Sequence, residues 1–401
     1  MPEARRHALV IGAGLAGAAV TSALALRGWH ITLVDSASGP AQGASGLPVG
    51  MLSPHVTRAP TPLSRLSALG VAHTLTELQR LVPQGAGWQA CEVDNLGHDP
   101  GRWPATLVRP AALVHAWLQE AKALGALTPR WNTAVHSLSC GATGDLANPT
   151  LWQARDAQGQ CVGEAPTVVV AAAMGSVELL TGNSAPMALD DLPLNPVKGQ
   201  MSLGVQLGAP LAARPQRNDG VFVPQYRDQG LPPDWPSSIW AMGSTFERGL
   251  ANTQVTAEAH ERNACSLETI HPVAAAGLRA DLAQNRLLGW SQVRCASLDR
   301  LPVVGAAPDA QALRLQLEAR RVLRRRVALA DVPRWAGLHL ICAMGSRGIT
   351  LAPWCARQLA LQINGEPTEV DPVLMAALDP ARFAVKNARR QGAAQQPVTA
   401  G

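Results

Sequence analysis

Gly12, Gly14 and Gly17, in G-x-G-x-x-G spacing, and Asp35 further on are the residues whose types and spacing most plainly suit a ligand. Gly12 allows a tight turn, Gly14 lets backbone approach a pyrophosphate, and Gly17 lets a helix pack closely on a strand. Asp35 would accept hydrogen bonds from the adenosine ribose hydroxyls, and its charge disfavours a 2′-phosphate, so NADP is not expected. The elements that must position these residues follow in order. Ala8–Ile11 is an apolar run long enough for one buried strand, and the Ala/Leu-rich segment after the glycines reads as a helix up to Arg27-Gly28. A second apolar run, Ile31–Val34, ends on Asp35. The helix start offers unpaired N–H groups and a positive dipole end to phosphates. A glycine triplet alone is weak, because a structural βαβ turn carries one too; strand, helix and acid together point to a dinucleotide. They do not distinguish NAD from FAD.

At 401 residues and 47% hydrophobic content, the chain can build one large domain or two intertwined ones. Its aromatics are 11 Trp, 3 Phe and 1 Tyr, so aliphatic side chains must do most of the packing. A net charge of +5 suits a polyanionic partner without demonstrating one. The 7 Cys are scattered without a C-x-x-C pair, which indicates neither a zinc site nor a disulfide framework and fits reduced thiols in a cytoplasm. The N-terminal apolar stretch is broken by glycines and lacks a cleavage-site pattern, and no run of 18 apolar residues occurs. A soluble cytoplasmic protein, without metal or membrane span, is expected.

Ser36–Pro54 is rich in Gly, Ser, Ala and Pro and reads as a loop. At its centre Gly43, Ala44, Ser45 and Gly46 are small enough for a ligand to lie against backbone. Leu63–Leu81 has apolar residues at helical spacing, and Arg109-Pro110 opens another helix through about Leu124. Pro83–Leu107 is irregular, and 127–165 carries short strand-like pieces. Thr167–Gly175 is a buried parallel-type strand running into Gly175. Leu192–Arg294 differs, with strand candidates at Gln200–Val205, Gly220–Val223 and Ser238–Met242 and one helical piece, Ala257–Leu267. From Leu338 the pattern reverts to strand (Leu338–Ala343), Gly-rich turn (Met344–Gly348) and helix (Ala352–Ile363). This returning unit suits FAD better than a contiguous NAD module, because the flavin needs a second helix start near its pyrimidine end. The residues expected there are Gly345, Ser346, Gly348, Ile349 and Thr350. The fold class is α/β (α+β overall). A Rossmann-type FAD-binding domain of discontinuous segments, 1–85, 109–191 and 292–386, is interrupted by an antiparallel-sheet substrate domain, 86–108 and 192–291, and 387–401 is a disordered tail.

The most particular stretches are Pro40–Gly46 (PAQGASG), Lys198-Gly199-Gln200, Asp219–Pro224 (DGVFVP), Arg294–Asp309 (RCASLDRLPVVGAAPD), Gly345–Thr350 (GSRGIT) and Ala377–Phe383 (ALDPARF). With them the chain resembles the D-amino-acid/glycine/sarcosine oxidase superfamily over about its whole length, Leu9 to Lys386. Within it, the chain is most similar to the FAD-dependent oxidase domain of MnmC-type tRNA 5-carboxymethylaminomethyl-2-thiouridine oxidoreductases. The resemblance implies a D-amino-acid-oxidase-like fold and a tRNA substrate whose wobble uridine bears –CH2–NH–CH2–COO⁻. Flavin N5 would take a hydride from the glycine-side carbon. Water would hydrolyse the imine, releasing glyoxylate and leaving aminomethyl-uridine, and dioxygen would reoxidise the flavin with formation of hydrogen peroxide.

A glycine-like substrate needs a fixed cation with a planar fork, which is Arg rather than Lys. Arg294 and Arg347 lie in stretches resembling the superfamily's substrate-side motifs and are expected as carboxylate ligands; a salt bridge is the plainer alternative for each. Lys198 could polarise dioxygen or line the entrance, or be a solvated lysine at a strand start. Cys295 falls near the position where sarcosine oxidases link flavin, but a buried structural thiol is the commoner case, so non-covalent FAD is expected. His55 and His98 lie near the loops of interest without a spacing that recommends either. Arg314–Arg326 carries six Arg against one Glu, and could contact tRNA phosphates or be a solvated basic face. Many such proteins carry a methyltransferase domain ahead of the oxidase. Here the chain begins seven residues before its first strand, so a separate methyltransferase is expected to act on the product. The same fold also serves free amino acids. An FAD-dependent glycine, sarcosine or D-amino-acid oxidase is therefore the alternative, and a non-catalytic FAD-binding protein the third reading.

Overall fold

A computed structural model describes residues 6–97, 99–142, 150–181, 186–322, 328–368 and 370–387. His98, Arg324, Arg325, Arg326 and the tail beyond Asn387 lie outside the described residues. The apolar runs form the centre of one sheet. His7–Ile11 lies between Thr167–Val170 and His30–Val34, with Arg334–Cys342 beyond one and Leu127–Arg130 beyond the other, all parallel. Val303–Pro308 closes one edge, antiparallel to Arg334–Cys342. Leu9, Val10, Ile31, Leu33 and Val168–Val170 are fully buried, as strands covered on both faces must be, so these segments read as continuous apolar runs rather than alternating ones.

Helices Leu15–Ala25, Pro62–Leu81, Pro110–Ala123 and Gly348–Asn364 pack together on one face around the largest core. The other face is covered by an antiparallel meander, Ser137–Ala142, Thr150–Arg155 and Cys161–Ala165, through Leu138, Trp152 and Ala154. The helix Gly348–Asn364 begins earlier than the expected Ala352 and carries Pro353 inside it. Proline has no N–H for the carbonyl four residues back. That carbonyl, on Ile349, instead accepts the Thr74 hydroxyl at 3.0 Å. The helix therefore survives its proline, and its N-terminus is tied to the neighbouring helix.

A second, mostly antiparallel sheet runs Glu247–Arg248, Leu194–Val205, Ser238–Gly243, Val221–Arg227, Gln216–Arg217, Trp88–Asn95, Gly101–Val108 and Gly50–Leu52. Leu288–Ser297 also pairs with Leu194–Val205, and the segment boundary drawn at 292 falls inside it. Likewise Gly50–Leu52, drawn with the nucleotide segments, joins this second sheet by pairing with Gly101–Val108. Gly175–Thr181, Pro372–Leu378 and Pro272–Ala283 are helices outside the expected elements; Pro272–Ala283 is opened by Pro at its first turn and capped by His271, which accepts the Ala274 N–H at 3.2 Å. Among the described residues no helix is long and apolar enough to cross a membrane.

Candidate active site

The C-terminal ends of three adjacent parallel strands open onto one cavity of about 350 Å³. Gly14 follows the first strand, Ala171 and Ala173 follow Thr167–Val170, and Ala343–Ser346 follow Arg334–Cys342. The opposite wall comes from the second sheet, through Met201, Val223, Gly243, Trp290 and Arg294. Open α/β sheets bind their ligands at such strand ends.

The glycine turn is shaped by two close approaches. A Cβ on Gly12, which has φ +104°, would stand 2.5 Å from the Ala171 carbonyl oxygen, and one on Gly17 would collide with the Gly12 carbonyl. Gly14 is different: its Cβ would meet only the Ser45 hydroxyl, at 3.0 Å, on the side that lines the cavity. Asp35 closes the turn from behind, its Oδ2 accepting the Ala13 N–H at 2.6 Å and its Oδ1 the Ala37 N–H at 2.8 Å. Ser45 accepts the Leu15 N–H at 2.9 Å and so holds the Gly43–Gly46 loop on the helix start. The two helices that begin at Leu15 and Gly348 both open on the cavity. Neither N-cap residue bonds its side chain into the helix and neither first turn holds an acid, so, apart from the Leu15 N–H taken by Ser45, both turn positive dipole ends to the cavity. This donor set fits a dinucleotide.

Of the residues expected at the cofactor, Gly14, Ala44, Ser45, Gly345, Ser346, Gly348 and Ile349 line the cavity. Gly12, Gly17 and Asp35 stand behind the turn and shape it. Gly43 and Gly46 are bonded across the short turn, Gly46 N–H to Gly43 carbonyl at 2.9 Å. Thr350 is buried against the Pro62–Leu81 helix, its carbonyl crowding Gly70. Gly175 does not line the cavity. The chain turns at Ala173, which has φ +50°, and Gly175 opens the next helix, so Ala171 and Ala173 occupy the place expected for it.

Among the three expected catalytic residues the structure separates one from the others. Arg294 lines the cavity, and its guanidinium donates to the Ser244 hydroxyl and to the Thr245 carbonyl, the latter at 3.3 Å. Gly199 leaves the room this guanidinium occupies, which gives the Lys198-Gly199-Gln200 stretch its glycine. Among the described residues no carboxylate pairs with Arg294, and burial pushes its pKa down to about 10. Arg347 N-caps the Gly348–Asn364 helix beside the cavity without lining it. Its pKa is lowered by burial and by Arg300, and it in turn helps to lower that of part-buried His55. Lys198 is only 2% exposed, in mid-strand, so the solvated alternative is corrected. Strand alternation puts it with Gln200 and Ser202 on the face that meets the Ala257–Glu268 helix, opposite the face of Met201. Cys295 lines the cavity as a buried thiol whose pKa burial pushes up to about 11. Trp290, Met201 and Ser244 were missed; they carry no spacing signal, and only the pairing of 194–205 with 288–297 and with 238–243 brings them to the site.

Residues 7–107 and 102–362 match the family described as FAD dependent oxidoreductase, DAO. The chain is 35% identical to the tRNA 5-methylaminomethyl-2-thiouridine biosynthesis bifunctional protein MnmC of Verminephrobacter eiseniae, over 95% of this chain and 64% of that protein. It is also 35% identical to the protein of the same name from Paracidovorax citrulli, over 94% of this chain and 60% of that one. The chain thus spans less than two thirds of the length of these curated relatives. Among solved structures, glycine oxidase from Geobacillus kaustophilus superposes with TM-score 0.65 at 18% identity, covering 94% of this chain and 99% of that one. Iminodiacetate oxidase from Chelativorans sp. BNC1 superposes with TM-score 0.62 at 19% identity, covering 91% and 97%. With a glycine turn, two open helix starts and a cavity at the strand ends, and with the family matched over most of its length, the chain belongs to the DAO family of FAD dependent oxidoreductases.

Proposed function

We propose that this chain oxidises the carboxymethylaminomethyl group of a tRNA wobble (2-thio)uridine. The overall change is R–CH2–NH–CH2–COO⁻ + O2 + H2O to R–CH2–NH2, glyoxylate and hydrogen peroxide. The observation that carries the reading is Arg294, a cation in the cavity wall with no carboxylate partner among the described residues. Such a fork, already oriented by Ser244 and Thr245, is suited to the carboxylate of an N-substituted glycine; charged hydrogen bonds of this kind contribute about 1.5–3 kcal/mol. The names of the curated relatives support tRNA as the carrier of that glycine unit.

Gly14, Ser45 and the two helix starts would hold FAD, which would supply the two-electron acceptor for the reaction. The protein's own residues orient the substrate. Arg294 anchors the carboxylate, and the apolar wall of Met201, Val223 and Trp290 excludes bulk water and favours the neutral amine that can be oxidised. The neutral, high-pKa thiol of Cys295 supports non-covalent flavin, since the thiolate is the nucleophile. The aminomethyl product suits a methyl transfer, in this polypeptide or another. A glycine-like free amine satisfies Arg294 equally well, and this favours the small-amine oxidase as the second reading.

The deciding experiment adds tRNA bearing the carboxymethylaminomethyl group to the flavoprotein without oxygen and follows flavin absorbance. Bleaching with stoichiometric glyoxylate is the expected result. Bleaching by glycine or N-methylglycine alone, with none from the tRNA, would select the second reading.

A further inference from the structure

Phe246 is the one aromatic side chain among the large apolar residues exposed in the described part of the chain, at 54% exposure. Single exposed apolar residues are ordinary, but this chain has only 3 Phe and 1 Tyr, and its other Phe residues described, Phe222 and Phe383, are buried. Phe246 occupies the connection between Ser238–Gly243 and Glu247–Arg248, two residues beyond Ser244 in the cavity wall. Two guanidinium carbons flank its ring, that of Arg294 at 5.7 Å from the centroid and that of Arg248 at 5.6 Å. Neither arginine has a carboxylate partner among the described residues, so neither is drawn away from the ring.

We infer that Phe246, flanked by Arg248 and Arg294, is a stacking platform for the pyrimidine base that carries the amine. The inference rests on the tRNA reading above. Its geometric support is that two lengths are of the same order. The four bonds from uracil C5 to the carboxylate carbon reach about 5 Å when extended. Arg294 lies 5.7 Å from the Phe246 ring, so a carboxylate held by the first can leave its base beside the second. Aromatic faces flanked by arginine bind unstacked bases well, because every base offers a π-face and the guanidinium adds a cation–π contribution. A small amine has no ring to place there. Arg294 then recognises the glycine end of the substrate, and Phe246 its nucleobase end.

The test compares wild type, Phe246→Leu and Phe246→Trp as flavin-loaded proteins, measuring kcat/KM for modified anticodon stem-loop RNA and for N-methylglycine. Direct binding of the same RNA is measured alongside, and flavin content reports folding. Loss of one stacked base is expected to lower the RNA-to-amine selectivity and the RNA affinity about tenfold or more in the leucine variant, with the tryptophan variant close to wild type. Selectivity and RNA affinity unchanged in Phe246→Leu would overturn the platform while leaving the tRNA reading intact. A wild type that oxidises N-methylglycine but neither binds nor oxidises the RNA would overturn the tRNA reading and the platform with it.

Discussion

Replacing Gly14 and Gly17 separately by alanine should divide the cofactor role of the glycine turn from its structural role. A methyl on Gly17 collides with the backbone carbonyl of Gly12, which no rotamer can move, and also stands 3.4 Å from the Ala171 Cβ. Helix Leu15–Ala25 must then lift from the strand, at an overpacking cost of about 3 kcal/mol or more. With an unfolding entropy of about 2.1 cal/mol/K per residue, that lowers Tm by about 3–4 °C in the flavin-free protein. A methyl on Gly14 meets only the Ser45 hydroxyl, at 3.0 Å, and Gly14 already has φ −80°, which alanine adopts freely. Alanine is a poorer N-cap than glycine by roughly 0.5–1 kcal/mol, and reduced unfolded-chain entropy returns about the same. Flavin-free stability should therefore barely change. The added methyl points into the cavity where backbone must approach the cofactor, and FAD affinity should fall about 10- to 100-fold. The assay is thermal unfolding of the flavin-free proteins together with titration by FAD. The reasoning is refuted if Gly14→Ala destabilises the flavin-free chain as much as Gly17→Ala does, or if it binds FAD like wild type.

Arg294→Lys keeps the charge but loses the planar fork, so kcat/KM for the carboxylate substrate should drop about 10- to 100-fold, mainly through KM; unaltered kinetics would exclude Arg294 as the carboxylate ligand. Acid-precipitated protein should be colourless, its flavin staying in the supernatant, because the buried thiol of Cys295 is neutral; a yellow pellet would show a covalent link. Asp228 is buried. Although burial works to raise its pKa, the hydrogen bonds from Arg109 at 2.8 Å, the Gly230 N–H and Tyr226 hold the carboxyl below its ordinary value. A depressed pKa stabilises the fold above the unfolded-state value and loses that stabilisation as pH falls through the folded one. Asp228→Asn, which leaves part-buried Arg109 unpaired, should cost about 3 kcal/mol at pH 7, and its difference from wild type should narrow below about pH 4 in denaturant titrations.

Much of the fold was legible because its signals are local. The buried parallel strands announce themselves as apolar runs, and the Gly12–Gly17 turn with Asp35 as a spaced set of residues within one βαβ unit. Long helices such as Pro62–Leu81 show their period and their caps, here Thr61 accepting the Ser64 N–H with Pro62 in the first turn. Where the chain departs from local expectation, a distant partner is responsible. The helix from Gly348 begins ahead of Pro353 because Thr74, remote in sequence, takes the carbonyl that proline leaves unbonded.

By itself, then, the sequence determined that a dinucleotide turn is present, which segments build its sheet, and which arginines could meet a carboxylate. Only the tertiary structure placed those arginines. Arg294 reaches the cavity because the strand Leu288–Ser297 pairs with Leu194–Val205, and Gly199 leaves space for its guanidinium. Lys198, paired with Val293, is buried in mid-strand and is not among the cavity-lining residues, and Arg347 caps a helix beside the cavity. The face a residue takes in a sheet depends on register with a strand far away in sequence, and no spacing read along one chain segment encodes that register.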